Sequence, residues 1–437
     1  MFCTALTAHA QGGNVGMGGE DGDYQSLAER LAKVEKKHDM LDVYINYAAG
    51  AQATDDGGSW STKFANRELR LELKGNLTDK LYYRLRHQLN KSSKAAGLDN
   101  FARATDLMLV GYDFSDKVTL MAGKVCQIWG GYEYDENPMF VYKYSDLLDH
   151  MQIFQAGAVL SVKPVPTQEL AVMVSDVNNG TMNEEYGDNL IIVDEDGLKP
   201  AEEARNPLTF IANWNGCFLD NKLQTRWAWG IQHEAKGRYS RMLTLGQKLN
   251  LPKLQWYVDY MGEFDDLDRL GIVSEDLAGF MDGNYRYSKV YYNSFITKMN
   301  WQFAPQWNLM LKGTYETVNV KSVEALKDYR KSYGWIGSLE YYPDKTQDLR
   351  VFLAYMGNRV EYSKDANLEN KNSNRIELGF MYRIKCYWYP SLFAQEFGVE
   401  ISLEGLLIQV AYRQICLCIH YHTVLVHLLN LVQIDNV

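Results

Sequence analysis

The chain has 437 residues, of which 13% are aromatic, and its formal net charge is −10. That charge and the lack of a basic run exclude a general nucleic-acid partner. Six cysteines without a C-x-x-C pair indicate neither a disulfide framework nor a zinc site, and residues 1–388 contain no run of about 18 apolar residues that could form a membrane-spanning helix.

The N-terminus is predicted to lie outside the main fold. Residues 1–10 end in an A-x-A sequence suited to signal-peptide cleavage, so we expect a signal-peptide remnant, with an ordinary terminus as the alternative. Residues 11–40 are predicted to hold a Gly-rich linker and a short amphipathic helix. Its apolar seam alternates spacings of four and three through Leu27, Leu31, Val34, His38 and Leu41. A helix this short is only marginally stable by itself. We therefore expect it either to form a trimerising coiled coil or to lie on the mouth of the β-barrel that the following residues indicate.

The stretch 66–90 alternates strictly between apolar and polar residues, which indicates two β-strands joined by a turn. Leu69, Leu71 and Leu73 share one face of the first strand. The opposite face is charged along the whole length of both strands. A membrane β-barrel has this requirement, because one face of each strand meets lipid and the other meets a wet lumen.

Short turns alternate with longer connections from residue 41 to residue 388. The short turns are predicted at 76–80, 115–117, 164–168, 218–221, 252–253, 304–306 and 344–348. The longer connections are predicted at 51–64, 91–102, 127–151, 179–206, 236–240, 265–288, 321–330 and 362–372. This pattern predicts an all-β fold, an antiparallel transmembrane β-barrel of about sixteen strands over residues 41–388 with short turns on one rim.

Charged residues fall on the faces opposite the lipid-facing alternates, and a wet lumen explains them where a dry core would not. We expect ten basic residues to form the pore wall: Arg70, Lys74, Arg84, Arg86, Arg226, Lys298, Lys312, Arg350, Arg375 and Arg383. Seven acidic residues share these faces: Glu68, Glu72, Asp259, Glu263, Glu316, Glu340 and Glu377.

The predicted last strand, 374–388, ends at Trp388, which predicts recognition by the barrel-insertion machinery. Residues 389–437 lose the turn rhythm and are interpreted as an extension outside the barrel, with a genuine appended segment as the alternative. Alternating cysteines and histidines at 416–422 would form an extended row that does not converge on a metal. No metal site, no cofactor and no enzymatic activity are predicted, since no histidine lies in a nucleophile or acid cluster.

Three segments carry a resemblance to a known family. They are R-E-L-R-L-E-L-K-G-N-L-T-D-K-L-Y-Y-R-L-R at 67–86, V-T-L-M-A-G-K at 118–124 and Q-I-W-G-G-Y-E-Y-D-E-N-P at 127–138. The chain resembles the Bacteroidetes porins related to the phosphate-selective porin O and P family. The resemblance implies a homotrimeric, sixteen-stranded pore in the outer membrane of a Gram-negative bacterium, surrounded by lipid, whose third long loop folds inward.

Here the third long connection is 127–151. As a constriction it would set the pore diameter by its aromatic residues and the selectivity by its charges; the alternative is that it lies outside on the rim. Its candidate residues are Trp129, Tyr132, Glu133, Tyr134, Asp135, Glu136, Tyr142 and Lys143.

The resemblance fails at one point, because phosphate-selective members have a lysine-rich constriction and this loop is acidic. The predicted wall has ten basic residues against seven acidic ones, which is a small surplus. We therefore predict passive diffusion of small hydrophilic solutes or ions, with anions such as phosphate as one class. The alternative is a barrel-anchored binding or adhesion protein with a plugged lumen, whose function lies in loops 179–206 and 265–288.

Overall fold

The computed structural model describes Leu27 and residues 40–278, 283–343 and 348–386. These ranges contain nineteen strands: β1 (Asp42–Asp55), β2 (Ser61–Asn76), β3 (Leu81–Gln88), β4 (Thr105–Ser115), β5 (Val118–Cys126), β6 (Phe154–Val165), β7 (Gln168–Asp176), β8 (Ile191–Asp194), β9 (Gly197–Pro200), β10 (Leu208–Phe218), β11 (Leu223–Ala235), β12 (Arg238–Leu251), β13 (Leu254–Asp265), β14 (Tyr285–Tyr287), β15 (Val290–Ala304), β16 (Trp307–Val320), β17 (Arg330–Tyr341), β18 (Leu349–Tyr362) and β19 (Lys371–Cys386). The helices are short: Tyr132–Asp135, Asp146–His150, Met182–Tyr186 and Ile272–Asp276, with 3₁₀ turns at Pro138–Phe140, Glu324–Leu326 and Lys364–Ala366.

Sixteen of the strands form a closed antiparallel barrel, which confirms the predicted fold class. Among these sixteen, each strand pairs with the next barrel strand in the sequence, and β1 closes the ring by pairing with β19. This pairing runs from Val43 opposite Cys386 to Asp55 opposite Asn374. Closure gives every strand a partner on both sides, as a structure surrounded by hydrocarbon requires.

The strands alternate between the outer face and the lumen with period two. On β7, Leu170 and Val172 are more than half exposed on the outside, whereas Glu169, Ala171 and Met173 are buried towards the lumen. Phe210 on β10 and the tryptophans on β11, β13 and β15 also lie on the outer face. The outer surface is therefore the apolar one, as contact with lipid demands.

The two rims differ in the length of their connections, although two predicted long connections are wrong. Strand pairing between β1 and β2 continues to Thr54 opposite Ser61, so residues 51–64 are mostly strand and only 56–60 connect them. The connection predicted at 236–240 is the two-residue turn 236–237, in which Gly237 has a φ of 70°. Residues 51–64 are rich in serine, threonine and glycine, as loops often are. Most of them nevertheless form strand, because each paired neighbour supplies hydrogen-bond partners for the backbone.

The long-loop rim carries a small second sheet. Strands β8 and β9 come from the connection between β7 and β10, and β14, from the connection between β13 and β15, pairs with β8 in parallel. Asp194 joins this sheet to the barrel, because it accepts hydrogen bonds from Arg238 (2.7 Å) and Ser288 (3.0 Å). Burial raises the pKa of Asp194, but these donors outweigh it and hold the pKa below its usual range.

Several predictions concern residues that the structure does not describe. The signal-peptide remnant, the linker, the helix except Leu27, the tail 389–437 and Trp388 all lie outside the described ranges. In the described ranges, no helix has the length and hydropathy needed to cross a membrane.

The outer face can be tested with Val172→Arg at the middle of β7. Arginine facing hydrocarbon should lower the free energy of unfolding by about 2–4 kcal/mol. Denaturant titration of the barrel folded in lipid vesicles measures this loss. Leu198→Arg, at an exposed position of β9, is the matched control and should leave stability nearly unchanged. Equal effects of the two substitutions would contradict the assignment of this face to lipid.

Candidate functional site

The connection between β5 and β6, residues 127–153, folds into the barrel and is called the inner loop below. Its backbone is held by side chains that project from distant strands into the lumen. Asn213 on β10 donates to the carbonyl of Ile128 (2.8 Å), and Arg350 on β18 donates to the carbonyl of Phe140 (3.0 Å). Because β10 and β18 lie on different sides of the ring, the inner loop extends across the lumen.

Two wall carboxylates hold the short helices of the inner loop by their first backbone N–H groups. Asp259 on β13 accepts hydrogen bonds from the N–H groups of Tyr132 (2.7 Å) and Glu133 (2.8 Å). Glu316 on β16 accepts in the same way from Asp146 (2.7 Å) and Leu147 (3.0 Å). N–H groups in the first turn of a helix have no partner within the helix, so an external carboxylate satisfies them.

Three acidic residues of the inner loop are ion-paired with the basic wall. The pairs are Arg226 with Asp135 (2.8 Å), Lys298 with Glu136 (2.6 Å) and Lys312 with Glu133. All three pairs are mostly or fully buried, and a buried charge is tolerated when a partner of opposite sign neutralises it. The charges of these three acidic residues are therefore neutralised at the wall.

The second half of the inner loop is fixed around Tyr142. The Tyr142 hydroxyl donates to Glu340 (2.8 Å), which also pairs with Arg350 (3.0 Å). Arg375 donates to the Tyr142 carbonyl (2.7 Å). Burial raises the pKa of Tyr142 well above its usual value, so the hydroxyl stays protonated and remains a donor.

The remaining predicted wall residues also reach the lumen. Arg84 pairs with Glu72 (2.9 Å), and Arg70 and Arg86 both contact Asp106, at 3.0 and 3.2 Å. Arg383 lies 3.8 Å from Glu72, and both Arg383 and Lys74 lie over the ring of Tyr44. The wall is thus a network of paired charges, and few of its cations face open solvent.

The inner loop leaves a cavity of about 590 Å³ between itself and the wall formed by β2 to β6. Its charged lining comprises six basic residues, Arg70, Lys91, Arg103, Lys124, Lys143 and Arg375, and four acidic residues, Glu68, Asp106, Asp149 and Glu185. A second cavity of about 200 Å³ lies towards β16 to β19 and shares Lys143, Tyr144 and Arg375 with the first. These three residues therefore stand where the two open spaces meet.

The sequence alone misses Arg67 as a lumen residue. Arg67 donates to the carbonyls of Val141 (2.7 Å) and Tyr142 (2.9 Å), although Glu68, the next residue, also faces inward. A β-bulge lets two consecutive residues do so: the register between β1 and β2 shifts between Ala48 and Ala49, opposite Arg67. Strict alternation places Arg67 outside, and the run of small residues opposite it gives no signal of a bulge.

In the described part of the chain, no group of three or more His, Cys, Asp and Glu residues is arranged to hold a metal ion. The alternating cysteines and histidines at 416–422 fall outside that part.

Comparison with protein families decides the relationship. The profile of the phosphate-selective porin O and P family matches residues 41–384, which is nearly the whole barrel. The chain belongs to this family. It is accordingly an outer-membrane channel of a Gram-negative bacterium that passes small solutes. No curated protein matches the chain.

Solved structures show the same porin fold at low sequence identity. The outer-membrane channel DcaP of Acinetobacter baumannii has 10% identity and a TM-score of 0.54, over 81% of this chain and 99% of that one. OmpF of Salmonella typhi, in complex with daunomycin, has 10% identity and a TM-score of 0.54, over 80% and 99%. OmpT of Vibrio cholerae has 8% identity and a TM-score of 0.50, over 79% and 97%.

Removing the acceptor at position 259 should loosen the inner loop. Asp259→Ala leaves two buried N–H groups without a partner, at a cost of about 1–3 kcal/mol for each. We expect faster amide hydrogen exchange at Tyr132 and Glu133, measured on the folded porin by mass spectrometry. Asp220→Ala, at the exposed turn between β10 and β11, is the control and should leave that exchange unchanged. Unaltered protection in Asp259→Ala would show that this carboxylate does not hold the loop.

Proposed function

We propose that this porin passes small hydrophilic solutes by passive diffusion with a preference for anions, through the gap between the inner loop and the wall of β2 to β6. The observation that carries the proposal is the charge of the larger cavity, which has six basic side chains against four acidic ones. Three acidic residues of the loop, Glu133, Asp135 and Glu136, do not line this gap, because they are ion-paired with Lys312, Arg226 and Lys298. A surplus of positive charge in a narrow, low-dielectric passage favours anions.

The residues that set this preference are those whose charge faces the gap. Arg70 is already balanced by Glu68 (3.2 Å) and Asp106 (3.0 Å). Lys143 is partly exposed, and its ammonium lies 4.0 Å from Asp146, at the limit of an ion pair. Lys91 and Arg103 are exposed at the long-loop end of the same cavity. We therefore assign the main contribution at the narrow part to Lys143.

This arrangement supports a general preference for anions over tight capture of phosphate. A phosphate site needs several donors that converge on one anion. Here Arg375 already donates to the Tyr142 carbonyl, and Arg70 is surrounded by two carboxylates. The donors nearest the narrow part are therefore partly occupied by the protein itself.

We propose no enzymatic activity for the chain. Its histidines in the described barrel lie at separate places with structural partners: His87 bonds Thr105, His150 bonds the carbonyl of Asp146, and His233 bonds the carbonyl of Asn206. Separate histidines of this kind do not form a nucleophile–base pair.

Charge reversal at Lys143 tests the selectivity. In Lys143→Glu, the anion-to-cation permeability ratio should fall by about threefold or more, because a fixed charge at the narrow part changes sign. The reversal potential of single channels in a planar bilayer under a salt gradient measures the ratio. Lys253→Glu, with the same change of charge at the short turn 252–253, is the control and should have a much smaller effect.

Two results would count against the proposal. A wild-type channel that prefers cations would contradict the anion preference, and a folded barrel that does not conduct would contradict diffusion through the gap. The second result would move the function to the long loops 179–206 and 265–288.

We also propose that the porin is a homotrimer whose subunits meet at the seam of the barrel. The lipid-facing side of β1 and β19 forms a concavity lined by the small residues Ala49 and Ala51 beside Leu378, and Phe64 projects next to it with 92% of its surface exposed. A protruding aromatic beside a shallow apolar hollow is suited to contact with another copy.

Phe64→Arg should convert trimers into folded monomers, because the interface would have to bury an unpaired charge. Analytical ultracentrifugation in detergent measures the assembly. Phe218→Arg, an outward-facing position on β10 at the far side of the ring, is the control and should remain trimeric. If both variants stay trimeric, the seam is not the interface.

A further inference from the structure

The lumen wall includes an apolar row that a water-filled pore does not explain. Met121, Val159, Met173 and Ile211 are cross-strand neighbours on β5, β6, β7 and β10, each directly opposite the next. They face the lumen, since residues on either side of Met173 and Ile211 are exposed to lipid, and each is at most 2% exposed. We call these four residues the apolar band. Because they are buried, part of the protein must cover them.

The inner loop covers one end of the apolar band. Beyond Ile211, the next position in the row is Gly230 on β11, and a Cβ atom there would lie only 2.6 Å from the ring of Trp129. Glycine at this position therefore lets the indole lie against the wall, and Asn213 holds the neighbouring carbonyl of Ile128 (2.8 Å). Trp129 and Ile128 belong to the same buried cluster as the apolar band.

Leu27, from the N-terminal segment, belongs to the same buried cluster. It is 2% exposed, and its backbone N–H donates to Glu169 Oε2 (2.9 Å). Glu169 projects into the lumen from β7, beside the two-residue turn 166–167, so Leu27 lies inside the barrel near the short-turn rim. Glu169 is fully buried, and its other carboxylate oxygen accepts a hydrogen bond from Ser161 (2.5 Å).

The sequence around Leu27 is suited to this position. Leu27 is the first residue of the apolar seam of the predicted helix, so an apolar side chain is available to pack against a buried apolar surface. The chain rejoins the barrel at Met40, whose carbonyl accepts a hydrogen bond from Tyr83 (3.0 Å) beside the turn between β2 and β3.

We propose that the N-terminal segment docks inside its own barrel, with Leu27 on the apolar band and its N–H on Glu169, and so narrows the lumen at the short-turn end. The occupant is a part of the same chain, and the docking itself does not depend on which solute the pore passes. Only the effect on conductance rests on the proposed function. The segment therefore acts as an internal insert in the lumen instead of an external coiled coil.

Chemical cross-linking tests the docking independently of transport. The chain with its six cysteines replaced by serine receives Leu27→Cys together with Ala171→Cys, which leaves Glu169 intact and lies in the same buried cluster as Leu27. The folded barrel is then treated with a short bifunctional thiol reagent. We expect a cross-linked peptide joining the two positions, identified by mass spectrometry after proteolysis. The control pair combines Leu27→Cys with Glu203→Cys on an exposed long loop and should give none. A folded barrel without the first cross-link, or with both equally, would overturn the docking.

Conductance tests the narrowing. Leu27→Asp places a charge against the apolar band, so the segment should leave the lumen and the single-channel conductance should rise by about 1.5-fold or more. Leu198→Asp, the same change at an exposed position of β9, should conduct like wild type. Equal conductance of the two variants would overturn the narrowing. If none of these barrels conducts, the proposed pore function fails, and the cross-link alone decides the docking.

Discussion

The pairing of β1 with β19 is the constraint on which the rest of the molecule depends. A backbone N–H or carbonyl without a partner in hydrocarbon costs several kcal/mol, so a membrane-spanning sheet must have no edge. Thirteen consecutive residues of β1 meet β19, from Val43 to Asp55, and this closes the ring. Irregular backbone is then confined to the lumen and the rims. The inner loop is possible only because wall side chains such as Asp259 and Glu316 replace the partners that a sheet would supply.

Charge pairing fixes where open space remains inside the ring. The wall cations on β11, β15 and β16 hold the loop against that side, and the larger cavity is left between the loop and β2 to β6. The basic wall is thus divided into two parts: one positions the loop, and the other lines the larger cavity. A count of charges along the sequence cannot separate these two parts, because each is defined by what the side chain contacts.

Period-two alternation was sufficient to predict the sixteen barrel strands and their two faces. It fails where the backbone leaves that period. The bulge at Ala48 and Ala49 turns Arg67 inward, and strand pairing extends β1 and β2 through residues whose composition is that of a loop. The partners of Glu133, Asp135 and Glu136 were beyond reach for another reason: they lie about a hundred residues or more away in the sequence, and only the closed ring brings them together. The contact of Leu27 with Glu169 has the same origin.

The buried pairs also shape how such a pore can diverge in evolution. Lys312 and Glu133 are 179 positions apart, yet loss of either one alone strands the other charge in a place that water does not reach. Such positions are free to change only together, so they are expected to covary among relatives. The Lys143 side chain lies outside these buried pairs, partly exposed and 4.0 Å from Asp146. A single substitution there changes the charge of the lumen without leaving a buried partner unpaired, whereas the residues that hold the loop are inherited as matched pairs.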